Sequence, residues 1–157
     1  MITTTRYPRS LVLAAWALAA AVSAACSGDS PTSPAPVFSQ TDVRVGSGAA
    51  AVAGNTLRVY YTGWLYDAAR PDGKGLQFES NVGATEPFTF TLGLGRVIQG
   101  WDEGLVNLRV GGLRRLVIPP SLGYGSFRNG PIPGNATLVF DVELVELVET
   151  ETVTDDQ

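Results

Sequence analysis

The sequence contains no histidine. That removes the side chain most often used as general base, metal ligand and near-neutral pH switch. It contains one cysteine, Cys26, so neither an intrachain disulfide nor a cysteine-built zinc site can form. No metal and no cofactor is therefore expected. Charge is also sparse, at 17% of residues with a formal net charge of −4, and no run of lysine or arginine occurs. An acidic chain without a basic run is a poor partner for nucleic acid or an anionic membrane surface. What the 157 residues do contain is 18 glycines and 10 prolines, which implies many turns and short strands. The length fits one domain, and there is no internal repeat.

The N-terminus reads as an address. Arg6 and Arg9 stand in a polar stretch without acids, an apolar run follows over residues 11–21, and Ser23, Ala24 and Ala25 lead to Cys26. A positive end, an apolar core and a small-residue cleavage site make a secretory signal peptide over residues 1–25. The apolar run is short against the roughly 20 residues of a membrane-spanning helix. The segment resembles a bacterial lipoprotein signal, in which the cysteine becomes the lipidated new N-terminus. The likeness departs at Ser23, where a bulky aliphatic residue is usual. Ordinary cleavage after Ala24 or Ala25 and an uncleaved anchor helix are the alternatives. With the signal removed, nine bases face fifteen acids, a net of −6. Residues 26–40, rich in Ser and Pro, read as a tether, and residues 149–157 as an acidic flexible tail. The expectation is an exported protein, periplasmic or on the cell surface, lipid-anchored to a bacterial membrane through Cys26 and touching the membrane in no other way.

Residues 41–148 are ample for one hydrophobic core. Leu57, Val59 and Tyr61 alternate with Arg58, Tyr60 and Thr62, and Phe88, Phe90 and Leu92 with Thr89 and Thr91. Leu138, Phe140, Val142 and Leu144 alternate with Val139, Asp141 and Glu143, and residues 113–118 form a further β-rich run closed by Pro119 and Pro120. Such alternation predicts antiparallel strands with one buried face. Val97, Ile98, Trp101, Leu105 and Leu108 instead fall at near-helical intervals, stopped by Gly111 and Gly112. The prediction is an α+β domain, an antiparallel sheet with one short α-helix packed on its concave face.

Five segments then become specific: VYYTGWL (59–65), LQFESN (76–81), PFTFTLGLGRVIQGWDEGL (87–105), VGGLRRLVIPPSLGYG (110–125) and NATLVFDVEL (135–144). In this order and spacing they resemble the FKBP-type peptidyl-prolyl cis-trans isomerases over nearly the whole domain. The resemblance implies a curved antiparallel sheet around one short helix, with an aromatic pocket between them. It implies that Tyr61, Phe78 and Phe88 form the pocket walls, that Trp101 is the floor, and that Tyr124 offers its hydroxyl. It further implies that Val97 and Ile98 open the helix, with the Ile98 N–H bonding a substrate carbonyl, and that Ile132 and Phe140 close the far side. Proline-containing polypeptides are the implied substrates and macrolides the implied inhibitors. By composition alone Trp101 would read as core, and Glu79 as a solvated strand-end charge.

Prolyl isomerisation suits this composition, because the chemistry needs no nucleophile, metal or general base. Three departures from the family pattern stand out. Glu79 replaces the usual Asp, whose carboxylate reaches toward the tyrosine at position 124. Extra length between Gly63 and Phe78, with a turn at Pro71, Asp72 and Gly73, predicts a longer surface loop near the pocket. Residues 127–134 are shorter than the common form, with Pro131, Ile132 and Pro133 shaping one rim. The competing reading is a non-catalytic module with the same fold, a holdase or adaptor that binds proline loops.

Overall fold

The computed structural model describes residues 36–148. Strands β1 (Ser39–Arg44), β2 (Thr56–Tyr66), β3 (Lys74–Ser80) and β4 (Phe88–Thr91) precede helix α1 (Gln99–Gly104). Strands β5 (Leu113–Ile118) and β6 (Leu138–Val148) follow it, with a 3₁₀ turn at Pro120–Leu122 between them. The result is the predicted α+β domain, a six-stranded antiparallel sheet ordered β1-β5-β6-β2-β3, with β4 also on β2. β4 and β3 share one edge of β2: β4 pairs as far as Val59 and β3 begins at Thr62. This fork builds the site.

Period-2 alternation sets the core. Leu57 and Val59 of β2 and Leu138, Phe140, Val142 and Leu144 of β6 are buried on the face that meets Trp101, Leu105, Leu116 and Ile118. The helix approaches the sheet closely because its inner face carries glycine. A Cβ on Gly100 would lie 2.6 Å from Ile118 Cγ2, and one on Gly104 would lie 2.7 Å from Leu116 Cδ2. Either side chain would push Trp101 off the sheet.

The helix is shorter than its apolar spacing predicts. It ends at Gly104, with the Leu105 N–H donating to the Trp101 carbonyl and Asn107 in the left-handed region at φ 63°. Leu105 and Leu108 stay buried without being helical. The reason lies in β5: buried Arg114 donates to the Gly104 and Val106 carbonyls, satisfying groups a longer helix would have bonded itself. Asp42 of β1 grips the same guanidinium at 2.6 and 3.2 Å.

Two boundaries also move. Ser39 and Gln40, read as tether, belong to β1 and pair with Val117 and Leu116, and Phe38 packs on the core. The long connection expected near the pocket is a hairpin tip over residues 67–73, closed by hydrogen bonds between Asp67, Arg70 and Gly73. Its Gly73 lies against Tyr66 and Val139, and no residue of it lines the cleft described below. The signal segment, Cys26 and the acidic tail lie outside the described residues. Among the described residues, no helix is long and apolar enough to cross a membrane.

Candidate active site

Tyr61 sits at the fork of β2, where neither edge strand pairs with it. Asn81, just past β3, completes the ladder there. The Tyr61 N–H donates to Asn81 Oδ1 at 2.6 Å, the Asn81 side-chain amide donates to the Val59 carbonyl at 3.1 Å, and the Asn81 N–H donates to the Tyr61 carbonyl at 3.1 Å. One side chain thus replaces a missing strand residue and fixes the backbone behind Tyr61.

Around that point the elements converge. Trp101 of α1 lies edge-on to Tyr61 at 5.1 Å and 85°, and to Phe140 at 5.3 Å and 88°. Phe88, at the start of β4, meets Tyr61 at 6.0 Å and Trp101 at 6.3 Å. Phe78 of β3 meets Phe140 at 5.6 Å and 85°. Such T-shaped pairs each contribute about 0.5–1.5 kcal/mol beyond area burial. Gly63, opposite Phe140 in the β2–β6 register, makes the last contact possible. A Cβ there would stand 2.6 Å from Phe78 Cζ and 2.8 Å from Phe140 Cε1.

A cleft of about 170 Å³ opens over this cluster. Tyr61, Phe88, Trp101 and Phe140 line its aromatic side, Val97 and Ile98 the helix entrance, and Glu79, Arg96 and Tyr124 its polar edge. A second hollow of about 360 Å³ shares Glu79 and Tyr124 and extends past Phe78 to Asn129, Gly130, Pro131 and Ile132. The structure therefore brings eight of the ten expected pocket residues to one cleft and places Phe78 and Ile132 in the adjoining hollow. Ile132 is buried, bridged to Asn129 across its own turn, which directs it into that side chamber.

The polar atoms are few. Ile98 caps the helix in extended conformation, and its carbonyl accepts from the Trp101 N–H at 2.9 Å. Its own N–H has no acceptor among the described residues. Asp102 holds the approach to the helix, accepting from the Gly93 and Gly95 N–H groups at 2.8 Å each. Both glycines have positive φ, which suits this tight loop. The Trp101 indole N–H is buried without a hydrogen-bond partner, enclosed by the rings around it. Burial, and then the neighbouring Glu79 carboxylate, push the Tyr61 hydroxyl up to about 12. Burial and Glu79 raise Tyr124 as well, against a hydrogen bond with Asn129 that lowers it. The Glu79 carboxylate thus stands near enough to both hydroxyls to raise each of them, and it lines the cleft beside Tyr61 and Tyr124.

Sequence reasoning missed Asn81, Asp102, Arg96 and Gly63. A glycine within a strand signals a close approach, so Gly63 had a readable sign. The others act through contacts that only folding creates.

Comparison with known proteins agrees with this geometry. Residues 48–145 match the family of FKBP-type peptidyl-prolyl cis-trans isomerases. The chain is 44% identical over 109 residues to an FK506-binding protein of Neisseria meningitidis serogroup B, covering 69% of this chain and 94% of that protein. It is 54% identical over 96 residues to FK506-binding protein 2B of Rhizopus delemar, covering 60% of this chain but 43% of that longer protein. The crystal structure of AtFKBP13 superposes with a TM-score of 0.60 at 34% identity, over 71% of this chain and 93% of that one. The chain belongs to the FKBP-type peptidyl-prolyl cis-trans isomerase family.

Proposed function

We propose that the cleft over Trp101 isomerises X-Pro bonds by binding the prolyl peptide non-covalently. The observation that carries this is the free Ile98 N–H at the mouth of an aromatic cleft whose hydroxyls stay protonated. The planar amide is a resonant, polar group that water solvates well, and leaving it uncatalysed costs about 18–20 kcal/mol. The twisted amide has lost that resonance and its carbonyl is less polar. A poorly hydrated aromatic surface therefore disfavours the planar state more than the twisted one, which lowers the barrier. Each tenfold in rate requires about 1.4 kcal/mol.

The chain's own groups then have distinct tasks. The Ile98 N–H takes a substrate carbonyl and fixes the peptide's direction. Tyr61, with its hydroxyl near 12, is a neutral hydrogen-bond donor at physiological pH and not a base. Tyr124, likewise raised, offers a second hydroxyl from the polar edge of the cleft. Phe78 and Ile132 receive residues that flank the proline in the adjoining hollow. Macrolide ligands of the FK506 type would occupy the same cleft.

The assay is cis-to-trans exchange of an Ala-Leu-Pro-Phe peptide. The full chain accelerates it, and Trp101→Leu and Phe140→Ala reduce the acceleration at least about tenfold while remaining folded. A folded chain that binds the peptide without accelerating exchange makes the protein a proline-loop binding module. The N-terminal pattern supports an exported protein anchored by lipid on Cys26, with a tether that carries the domain clear of the membrane. A mature mass beginning at an unmodified Cys26, or at Ser23 or Ala25, rejects that anchor.

A further inference from the structure

We infer that Arg96 selects substrates with an acidic side chain next to the proline, a reading that rests on the isomerase assignment of the same cleft. Nine lysine and arginine residues are described. Arg44, Arg58, Arg70, Lys74, Arg114 and Arg115 form ion pairs. Arg109 and Arg128 donate to backbone carbonyls. Arg96 has neither an ion pair nor a hydrogen bond among the described residues, and it lines the cleft. Its five donors are therefore open to a ligand at the one place where a substrate would lie.

The backbone beneath this guanidinium is held. Asp102 fixes the N–H groups of Gly93 and Gly95, and α1 begins three residues after Arg96. The side chain therefore starts from a set position beside Val97 and Ile98, where the free Ile98 N–H would orient the peptide. The other charged group of the cleft is Glu79, which stands against the Tyr61 and Tyr124 hydroxyls. The cleft thus presents opposite charges at two separate points of its lining. A carboxylate on the substrate gains from Arg96 and loses near Glu79, so the preference is confined to residues that reach the Arg96 end. A planar guanidinium also suits a carboxylate geometrically better than a point charge does.

The test compares matched peptides of the full chain's substrate class, with Glu or Gln directly before or directly after proline. Each result is read as a ratio of kcat/KM within one protein. At about 20 mM ionic strength the Glu peptide is preferred roughly two- to fivefold at one of the two positions, the scale of an exposed ion pair. The preference shrinks toward one at about 0.5 M salt. Arg96→Gln brings the ratio to one, and Arg96→Glu takes it below one. A ratio of one or less at both positions in the native chain overturns the inference, as does a preference that survives both substitutions. Acceleration of the Leu-Pro peptide is scored separately and judges the isomerase reading. If that acceleration is absent, the same Glu-to-Gln ratio taken from dissociation constants, read by tryptophan fluorescence, still decides the role of Arg96.

Discussion

Gly63→Ala probes whether the aromatic wall depends on a single missing methyl group. The added Cβ would stand 2.6 and 2.8 Å from Phe78 Cζ and Cε2, and 2.8 Å from Phe140 Cε1. Both contacts are rings locked edge to face at 5.6 Å, so neither can yield by swinging a flexible end. Overpacking of this kind costs about 1–3 kcal/mol. Replacing glycine by alanine in an extended strand returns about 0.4–1 kcal/mol through the unfolded chain. The net loss is roughly 0.5–2.5 kcal/mol. For a domain of roughly 110 residues that lowers Tm by about 2–12 °C in a circular-dichroism melt. Because the displaced rings wall the cleft, kcat/KM for the prolyl peptide falls by roughly fivefold or more. Phe78→Leu removes the nearer ring atoms. The double variant Gly63→Ala with Phe78→Leu therefore loses less stability than the two single losses combined, with a coupling of about 1 kcal/mol. Additive losses, or a Gly63→Ala protein that melts at or above the native temperature, refute the argument.

Other consequences follow from the same site. Tyr61 titrates near 12 in the folded chain against about 10 unfolded, so its contribution to stability is full below about pH 10 and is lost as pH rises through 12. A residue-resolved NMR titration separates Tyr61 from the four other tyrosines: Glu79→Gln lowers the Tyr61 value, yet burial, the larger cause, keeps it above 10. An unchanged value in Glu79→Gln breaks the link between the two groups. Trp101→Leu loses four ring contacts but also a buried N–H that has no partner. The net destabilisation is about 1–3 kcal/mol by denaturant titration, below the 3–5 kcal/mol of a full truncation to alanine.

Much of this protein was legible before folding. Alternation at Leu57, Val59 and Tyr61, and at Leu138, Phe140, Val142 and Leu144, depends only on the period of a strand with one wet face, so β2 and β6 could be read directly. The absence of histidine and the confinement of cysteine to position 26 ruled out whole classes of chemistry by composition. The motif around Trp101 pointed to the family, because its residues are close in sequence. Strand β1 left no such sign: all six of its residues are exposed, so it has no apolar period to detect.

Tertiary structure decided what depends on pairs distant along the chain. The helix stops at Gly104 because Arg114, ten residues on, occupies its terminal carbonyl, with Asp42 holding the arginine from 72 residues away. Asn81 became the backbone partner of Tyr61 only because β3 and β4 divide the edge of β2 between them. Whether an arginine is paired or open is likewise invisible in a sequence, since a salt bridge is a property of two surfaces brought together. Local pattern alone carried β2, β4, β5 and β6, the short helix and the aromatic set. The fold decided where the helix ends, that Glu79 stands by the cleft hydroxyls and that Arg96 is left open, because each depends on which distant segments pack together and not on local pattern.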